Sequence, residues 1–363
     1  MISIVIPTFN EVNNIIPLIK NLLNLLNDLE YEIIIVDDDS PDGTSEKINK
    51  FMKQNQNIKL LRRVGRSGLS SAIKEGLIFA QGEYLLVMDG DGQHNPSCIL
   101  SMINKIKKGK YDLVIGSRFL TSSSLEGLSF RRSFGSKMAN KFARFSLPNN
   151  YISITDYLSG CFCLKRETTE FLVRKIEING FKFLYELLSL SKGKLFIKEV
   201  PLSFEERTFG HSKLDLAIIW DFLISILHNF TLRLIPRRAI SFGLVGLTGV
   251  FVQLFLTSFL TKILLIDFFN ALPIAVISAA TSNFLINNKI TFRSNRLKNK
   301  LLFIGLLKFL LIASLPIFAN IGITTAFYTY ISPDKFVAQI SGITIVYAWN
   351  YLASSSFVWN KSI

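Results

Sequence analysis

Cysteine is scarce in this chain: 363 residues hold only Cys98, Cys161 and Cys163. Cys161 and Cys163 alternate within an apolar run, so they read as reduced core side chains and not as part of a disulfide framework. Histidine is equally scarce. His94, His211 and His228 lie far apart, and no Cys/His cluster has zinc-ligand spacing. Glycine-rich phosphate loops are missing as well. The first strand-helix turn lacks G-x-G-x-x-G and no G-x-x-x-x-G-K-[ST] occurs anywhere, which disfavours a dinucleotide dehydrogenase and a P-loop NTPase. Acids almost vanish past residue 238, where only Asp267 and Asp334 stand against nine Lys/Arg. Met1 leads straight into a strand-like run, so no N-terminal signal peptide is expected.

What is abundant is apolar. Hydrophobic residues make up 49% of the chain, and the late segments Ala239–Thr261, Phe268–Asn288, Phe309–Ser332 and Phe336–Asn360 run 23, 21, 24 and 25 residues without a charge. A spanning helix needs about 20 apolar residues, so four transmembrane helices are expected. Cations flank them unevenly. Arg233, Arg237 and Arg238 precede the first segment, Lys289, Arg293, Arg296, Lys298 and Lys300 separate the second from the third, and Lys361 follows the fourth. The two opposite loops hold only Lys262, Asp267, Asp334 and Lys335. The positive-inside rule then puts the N-terminal domain, the middle loop and the C-terminus in the cytoplasm. The net charge of +14 thus reads as topology and contact with anionic lipid, not as nucleic-acid binding.

The first two hundred residues alternate strands and helices. Ile2–Ile6, Glu32–Val36, Ile58–Leu61, Tyr84–Met88, Asp112–Gly116 and Glu199–Phe204 read as strands, with helical spacing over Asn13–Leu29 and Ser67–Ala80. That alternation predicts a doubly wound, mostly parallel sheet, whose ligands sit at the strands' carboxyl ends. Acids stand at three of those ends: Glu11, the run Asp37 to Asp39, and Asp89 with Asp91. Two carboxylates at i, i+2 after the buried run Leu85–Met88 can hold a hard divalent cation together with ligand phosphates; Asp-Gly is also ordinary turn chemistry. Acids suit ribose hydroxyls and a metal, a pattern that suggests a nucleotide-diphosphate donor. The cationic, glycine-containing loop Arg207 to Lys213 suits gripping phosphate.

Between the two halves, Asp221, Ser225, Asn229 and Arg233 recur every four residues, and the other faces, with Trp220, Phe222 and Leu223, are apolar. This reads as an amphipathic helix lying in the membrane interface, or else as a linker helix packed on the N-terminal domain. The apolar half also carries a possible duplication: Phe242 and Phe309, Asn283 and Asn350, and Phe292 and Trp359 are all 67 residues apart.

Taken together, Pro7 to Glu11, Val36 to Thr44, Asp89 to His94, Gly116-Ser117-Arg118, Asp156 to Gly160 and Arg207 to Lys213 resemble the family 2 glycosyltransferases of GT-A fold, and within them the polyprenyl-phosphate hexose synthases. The four-segment region resembles the GtrA-like membrane domain. The resemblance implies a GT-A, Rossmann-like α/β catalytic domain over residues 1–213, an interfacial helix and linker over 214–238, and an all-α four-helix transmembrane domain over 239–363. It implies that Pro7, Phe9, Glu11, Val36 and Asp38 hold the nucleoside, and that Asp89, Asp91 and Gln93 ligate Mg²⁺ or Mn²⁺ beside Gly90. Arg118, Arg131, Arg207 and Lys213 would bind donor diphosphate and acceptor phosphate; the Arg131-Arg132 pair leaves open which arginine matches. Asp91, Arg118, Arg131 and Arg207 would carry catalysis. The implied activity is inverting transfer of a hexose, mannose from GDP-mannose foremost, to dolichyl or another polyprenyl phosphate at the cytoplasmic face of a cell membrane. The alternatives are UDP-glucose with undecaprenyl phosphate, or a lipid-linked sugar flippase with a nucleotide-sugar sensor domain. A polymerising synthase is disfavoured, because no Q-x-x-R-W run is present.

Overall fold

The structure, a computed structural model, describes every residue except 66–67, 94–96, 121–129, 178–181, 203–215, 333 and 361–363, and no side chain at 97, 130–134, 216–218, 315–322, 324, 335–336 or 338–339. It divides into two compact units, Met1–Phe230 and Thr231–Ile363.

The first unit begins with β1 (Ile2–Thr8), α1 (Ile15–Leu25), β2 (Tyr31–Asp37), α2 (Thr44–Met52), β3 (Ile58–Arg62), α3 (Leu69–Phe79) and β4 (Tyr84–Val87). It continues with α4 (Ser97–Lys107), β5 (Leu113–Ser117), α5 (Phe130–Ser146), β6 (Phe162–Lys165), α6 (Arg166–Lys175), α7 (Phe183–Ser191), β7 (Ile197–Pro201) and α8 (Leu216–Phe230). The strands form one sheet in the order β3-β2-β1-β4-β6-β5-β7. All pairings are parallel except those of β6, which runs against β4 and β5. The strand expected over Glu199–Phe204 lies at Ile197–Pro201 instead: its register is set by parallel pairing with Leu113–Ser117.

Apolar residues at period two feed both faces of this sheet, as strand geometry requires. Val5, Ile34, Val36, Leu85, Val87, Leu113 and Ile115 belong to one core. Their neighbours Ile4, Ile6, Ile33, Ile35, Leu86, Met88 and Val114 belong to the other. Two-sided burial gives the helix-sheet-helix layering of the GT-A, Rossmann-like fold.

Helix α8 turns part of its polar stripe inward. Asn229 is turned inward: it accepts a hydrogen bond from Ser189 Oγ at 2.5 Å and donates to the Ser146 carbonyl. Phe222 packs edge-on against Tyr185, centroids 5.7 Å apart, and Ser225 is buried. The helix is therefore packed on the first unit, and its exposed positions are apolar: Ile219, Leu223 and Phe230.

The second unit consists of α9 (Arg237–Lys262), α10 (Phe268–Lys289), α11 (Asn299–Tyr330) and α12 (Lys335–Phe357). α9 and α10 are long and apolar enough to cross a membrane. α11 has 32 residues, about 48 Å of helix against a hydrocarbon core of about 30 Å.

The core of this unit is aromatic, and its contacts repeat with the 67-residue offset. Phe242–Tyr351 at 5.8 Å has its counterpart in Phe284–Phe309 at 5.7 Å. Phe242–Phe292 at 6.4 Å matches Phe309–Trp359 at 5.8 Å. The equivalent residues Phe292 and Trp359 stack on each other, 4.1 Å apart and 6° from parallel. Two similar helical hairpins thus face each other across a pseudo-two-fold axis.

Candidate active site

The carboxyl ends of β1, β2, β4 and β5 lie on one edge of the sheet, and the start of antiparallel β6 joins them there. Asp89 and Asp91 follow β4 directly and are half-buried. Gly90 between them has no room for a larger residue without adjustment: an added Cβ would stand 3.0 Å from Thr8 Cγ2 and 3.1 Å from the Pro7 carbonyl. Asp91 Oδ1 accepts the Gln93 backbone N–H at 3.1 Å, which folds the loop back on itself.

Gly160, two residues before β6, faces Asp89 so closely that a Cβ there would run into its carboxylate. Gly160→Ala is therefore expected to displace Asp89 and lower turnover by about a hundredfold, the order of loss that a 1 Å misplacement produces. Steady-state rates together with Tm check this, Tm being nearly unchanged; wild-type turnover would show that Asp89 has no fixed place in the site.

Arg118 follows β5 and is held from two sides by Asp156: Nε donates to Oδ2 at 2.7 Å and Nη2 to Oδ1 at 2.9 Å. Burial pulls the guanidinium down, but Asp156 and then Asp89 more than reverse it, so its pKa lies above the ordinary arginine value. Asp156 has no exposed surface. Its turn is braced from β7, where the Glu199 carboxylate accepts the Thr155 and Asp156 backbone N–H groups at 2.9 and 3.0 Å. Burial lifts the Glu199 carboxyl above its usual range despite these donors. Lys182, just before α7, shares the same field. Burial and then Arg118 hold its ammonium below the usual lysine range, while Asp89 and Asp156 oppose them. Two carboxylates and two cations thus converge at the ends of β4 and β5.

The neighbouring ends of β1 and β2 carry the residues expected to meet a nucleoside. Pro7 pairs in register with Val36. The Val36 side chain is fully buried in the core, against α3, where an added Gly76 Cβ would stand 2.9 Å from its Cγ2. Its side chain therefore serves the core, which leaves its backbone as the part of Val36 available to a nucleoside.

Asp38 is pinned by Arg63 Nη1 at 2.9 Å and the Gly68 N–H at 2.8 Å. Its neighbour Asp37 has a different task. It accepts hydrogen bonds from Thr8, Ser40 and Ser45 while fully buried, and so ties the loop down. Glu11 accepts from Asn14 Nδ2 at 2.6 Å, and its N–H donates to Thr44 Oγ1; Phe9 is half-buried. Asp42 ties the same two loops through the Val12 and Thr44 N–H groups. Burial pushes its carboxyl up, but the Thr44 hydroxyl and these donors outweigh it and hold the pKa low.

The edge therefore gathers Pro7, Phe9, Glu11, Asp38, Asp89, Gly90, Asp91, Gln93 and Arg118. The backbone of Arg131 lies in the first turn of α5, but its side chain, like all of Arg207 and Lys213, falls outside the described residues. Sequence reasoning assigned no role to Lys182, Asp156, Gly160 or Arg63. Lys182 had a signal, a lone cation between Phe181 and Phe183; Arg63 had none.

Comparison with known proteins gives this edge its context. Residues 3–171 match the family model for glycosyl transferase family 2, and residues 241–359 match the GtrA/DPMS transmembrane domain. A dolichol-phosphate mannosyltransferase of Pyrococcus furiosus is 34% identical over 370 residues, covering 99% of both chains. A dolichol-phosphate mannosyltransferase of Mycosarcoma maydis is 30% identical over 64% of this chain and 79% of its own. Among solved structures, mannosyl-3-phosphoglycerate synthase from Rubrobacter xylanophilus is 17% identical over 64% of this chain and 74% of that one, with a TM-score of 0.46. The chain is a glycosyltransferase: it belongs to glycosyl transferase family 2, with a GtrA/DPMS transmembrane domain following the catalytic domain.

Proposed function

We propose that this protein transfers mannose from GDP-mannose to a polyprenyl phosphate, with inversion at the anomeric carbon and with Mg²⁺ or Mn²⁺ held by Asp89 and Asp91 beside Gln93. The observation that carries the reading is the pairing of these two carboxylates with Arg118 at one sheet edge. The names of both relatives favour mannose and a dolichol-type acceptor.

The donor set fits the ion. It offers hard carboxylate and amide oxygens, and among the described residues no cluster of three His, Cys, Asp or Glu stands ready to enclose a metal. Mg²⁺ is commonly held in this way, by one or two carboxylates and the substrate's own phosphates. When bound, such an ion neutralises charge on a leaving diphosphate.

The protein's own residues do the rest. Asp156 occupies Nε–H and one Nη2–H of Arg118, which leaves three N–H donors in a fixed plane for phosphate oxygens. A phosphate monoester is largely dianionic at neutral pH, so the acceptor needs no base. The cost is bringing two anions together, which preorganised cations offset. We assign Arg118 and Lys182 to that role, joined by Arg131, Arg207 and Lys213 from the sequence pattern, and assign Glu11 and Asp38 to the nucleoside. A thermal-shift series tests donor and metal together. GDP with Mn²⁺ is expected to raise Tm more than UDP with Mn²⁺, and EDTA is expected to remove the difference. A larger response to UDP would overturn the choice of donor.

The Lys/Arg pattern supports a multi-pass protein whose catalytic unit and 289–300 loop face the cytoplasm. Ile219, Leu223 and Phe230 support an interfacial position for α8. Replacing Ile219 and Leu223 with Asp is expected to raise KM for a long-chain polyprenyl phosphate about tenfold, from lost apolar burial, and to leave KM for the nucleotide sugar unchanged. An equal rise in both would make α8 structural support only.

A further inference from the structure

In the second unit, where α10 ends and α11 begins, the chain forms an open cavity of about 420 Å³. Lys289, Arg296 and Lys298 line it, with Asn299 at the first turn of α11 and Leu285 and Leu302 on the apolar side. The loop that presents these cations is fixed. Asn288 Oδ1 accepts the Leu297 N–H at 2.8 Å and the Trp359 indole N–H at 3.1 Å, while its Nδ2 donates to the Leu297 carbonyl at 3.1 Å. Asn295 Nδ2 donates to the Trp359 carbonyl at 3.1 Å.

No Asp or Glu side chain among the described residues of this unit stands beside the cavity to offset its charge. The chain carries no Asp or Glu between Asp267 and Asp334, and these two stand at the opposite ends of the helices, before α10 and before α12. A 22-residue helix separates Asp267 from the cavity, about 33 Å and several Debye lengths at physiological salt. The first amides of α11 add donors: the first backbone bond of this turn runs from Leu302 N–H to the Lys298 carbonyl, so the N–H groups before it are spent on no helical acceptor.

We propose that this cavity is a binding site for a phosphate group, carried by an anionic phospholipid of the bilayer. Three cations and a helix start match a phosphate, and the Leu285 and Leu302 wall matches the start of an acyl chain. Basic pockets at the ends of membrane helices hold lipid headgroups by this chemistry. The site belongs to the second unit alone and requires none of the residues assigned to sugar transfer.

The test uses the full-length chain, purified in detergent and delipidated, with phosphatidylglycerol, phosphatidylcholine or inorganic phosphate added at equal concentration. Binding is read by native mass spectrometry and by Tm. Phosphatidylglycerol is expected to bind and raise Tm, and phosphatidylcholine to do neither. The K289Q/R296Q/K298Q variant is expected to bind phosphatidylglycerol roughly a hundredfold more weakly, about fivefold per charge removed. The charge-keeping K289R/R296K/K298R variant is expected to bind within a few-fold of wild type, which separates charge from folding. Equal protection by inorganic phosphate would keep the phosphate site and move its ligand from lipid to free anion. Unchanged phosphatidylglycerol binding by the triple glutamine variant, or equal binding of phosphatidylcholine, would overturn the proposal.

Discussion

Asp91→Ala is expected to lower sugar transfer by about a thousandfold or more, because it removes one of two carboxylates assigned to the ion that stabilises a leaving diphosphate. Asp91 is half-exposed in a loop, where its Oδ1 accepts the Gln93 backbone N–H two residues away. Substitution at such a half-exposed loop position usually changes stability by only about 0.5 kcal/mol. The expected signature is therefore a dead enzyme with a wild-type melting curve. Its Tm should also stop responding to the metal-nucleotide pair. Retained turnover would remove Asp91 from the site; a collapsed Tm would make it structural.

Asp156→Ala is expected to fail in the opposite way, losing stability and activity together. Asp156 is fully buried and takes two charge-assisted bonds from Arg118. Removing it leaves the Arg118 cation largely buried without its partner, which costs about 3–5 kcal/mol. For a unit the size of residues 1–230 that is a drop of roughly 10 °C in Tm. The released guanidinium is then free to pair with Asp89, so transfer falls even at temperatures where the variant is folded. Calorimetry at two temperatures and rates below the melting onset separate the two losses. A variant with wild-type Tm would show that the Arg118–Asp156 pair does not hold this edge together.

The strands that carry the site were legible because each is a short apolar run that ends in polar or charged residues. Leu85–Met88 followed by Asp89 and Asp91 is such a signal, and the sheet puts these acids where a parallel topology predicts. The direction of β6 was not legible. Phe162–Lys165 is four residues long and buried on both sides, so its pattern is the same whether it runs parallel or antiparallel. The roles within Asp37 to Asp39 were also hidden, since three adjacent acids look alike until register sends Asp37 into the loop's hydrogen bonds and Asp38 towards Arg63.

The stripe on α8 shows a different limit. Four-residue spacing marks one face of α8 through Asp221, Ser225 and Asn229, while Arg233 lies past the helix end at Phe230 with a φ of 63°, and periodicity does not say what lies opposite. Ser189 and the Ser146 carbonyl, far away in the chain, capture Asn229, and the apolar positions Ile219 and Leu223 are left outside. The convergence of Asp156, Gly160 and Lys182 on Asp89 likewise comes from long-range packing. The 67-residue offset of the helical hairpins was legible as a repeat, but that its equivalent residues Phe242 and Phe309, and Phe292 and Trp359, pack against each other was not.

The measurement that bears most directly on the proposed activity is transfer of label from sugar nucleotide to lipid. Membranes carrying the protein are incubated with labelled GDP-mannose or UDP-glucose and a polyprenyl phosphate, with Mn²⁺ or with EDTA. Label entering the lipid fraction from GDP-mannose alone, and only with Mn²⁺, is the expected result. Label from UDP-glucose alone, or undiminished transfer in EDTA, would contradict it.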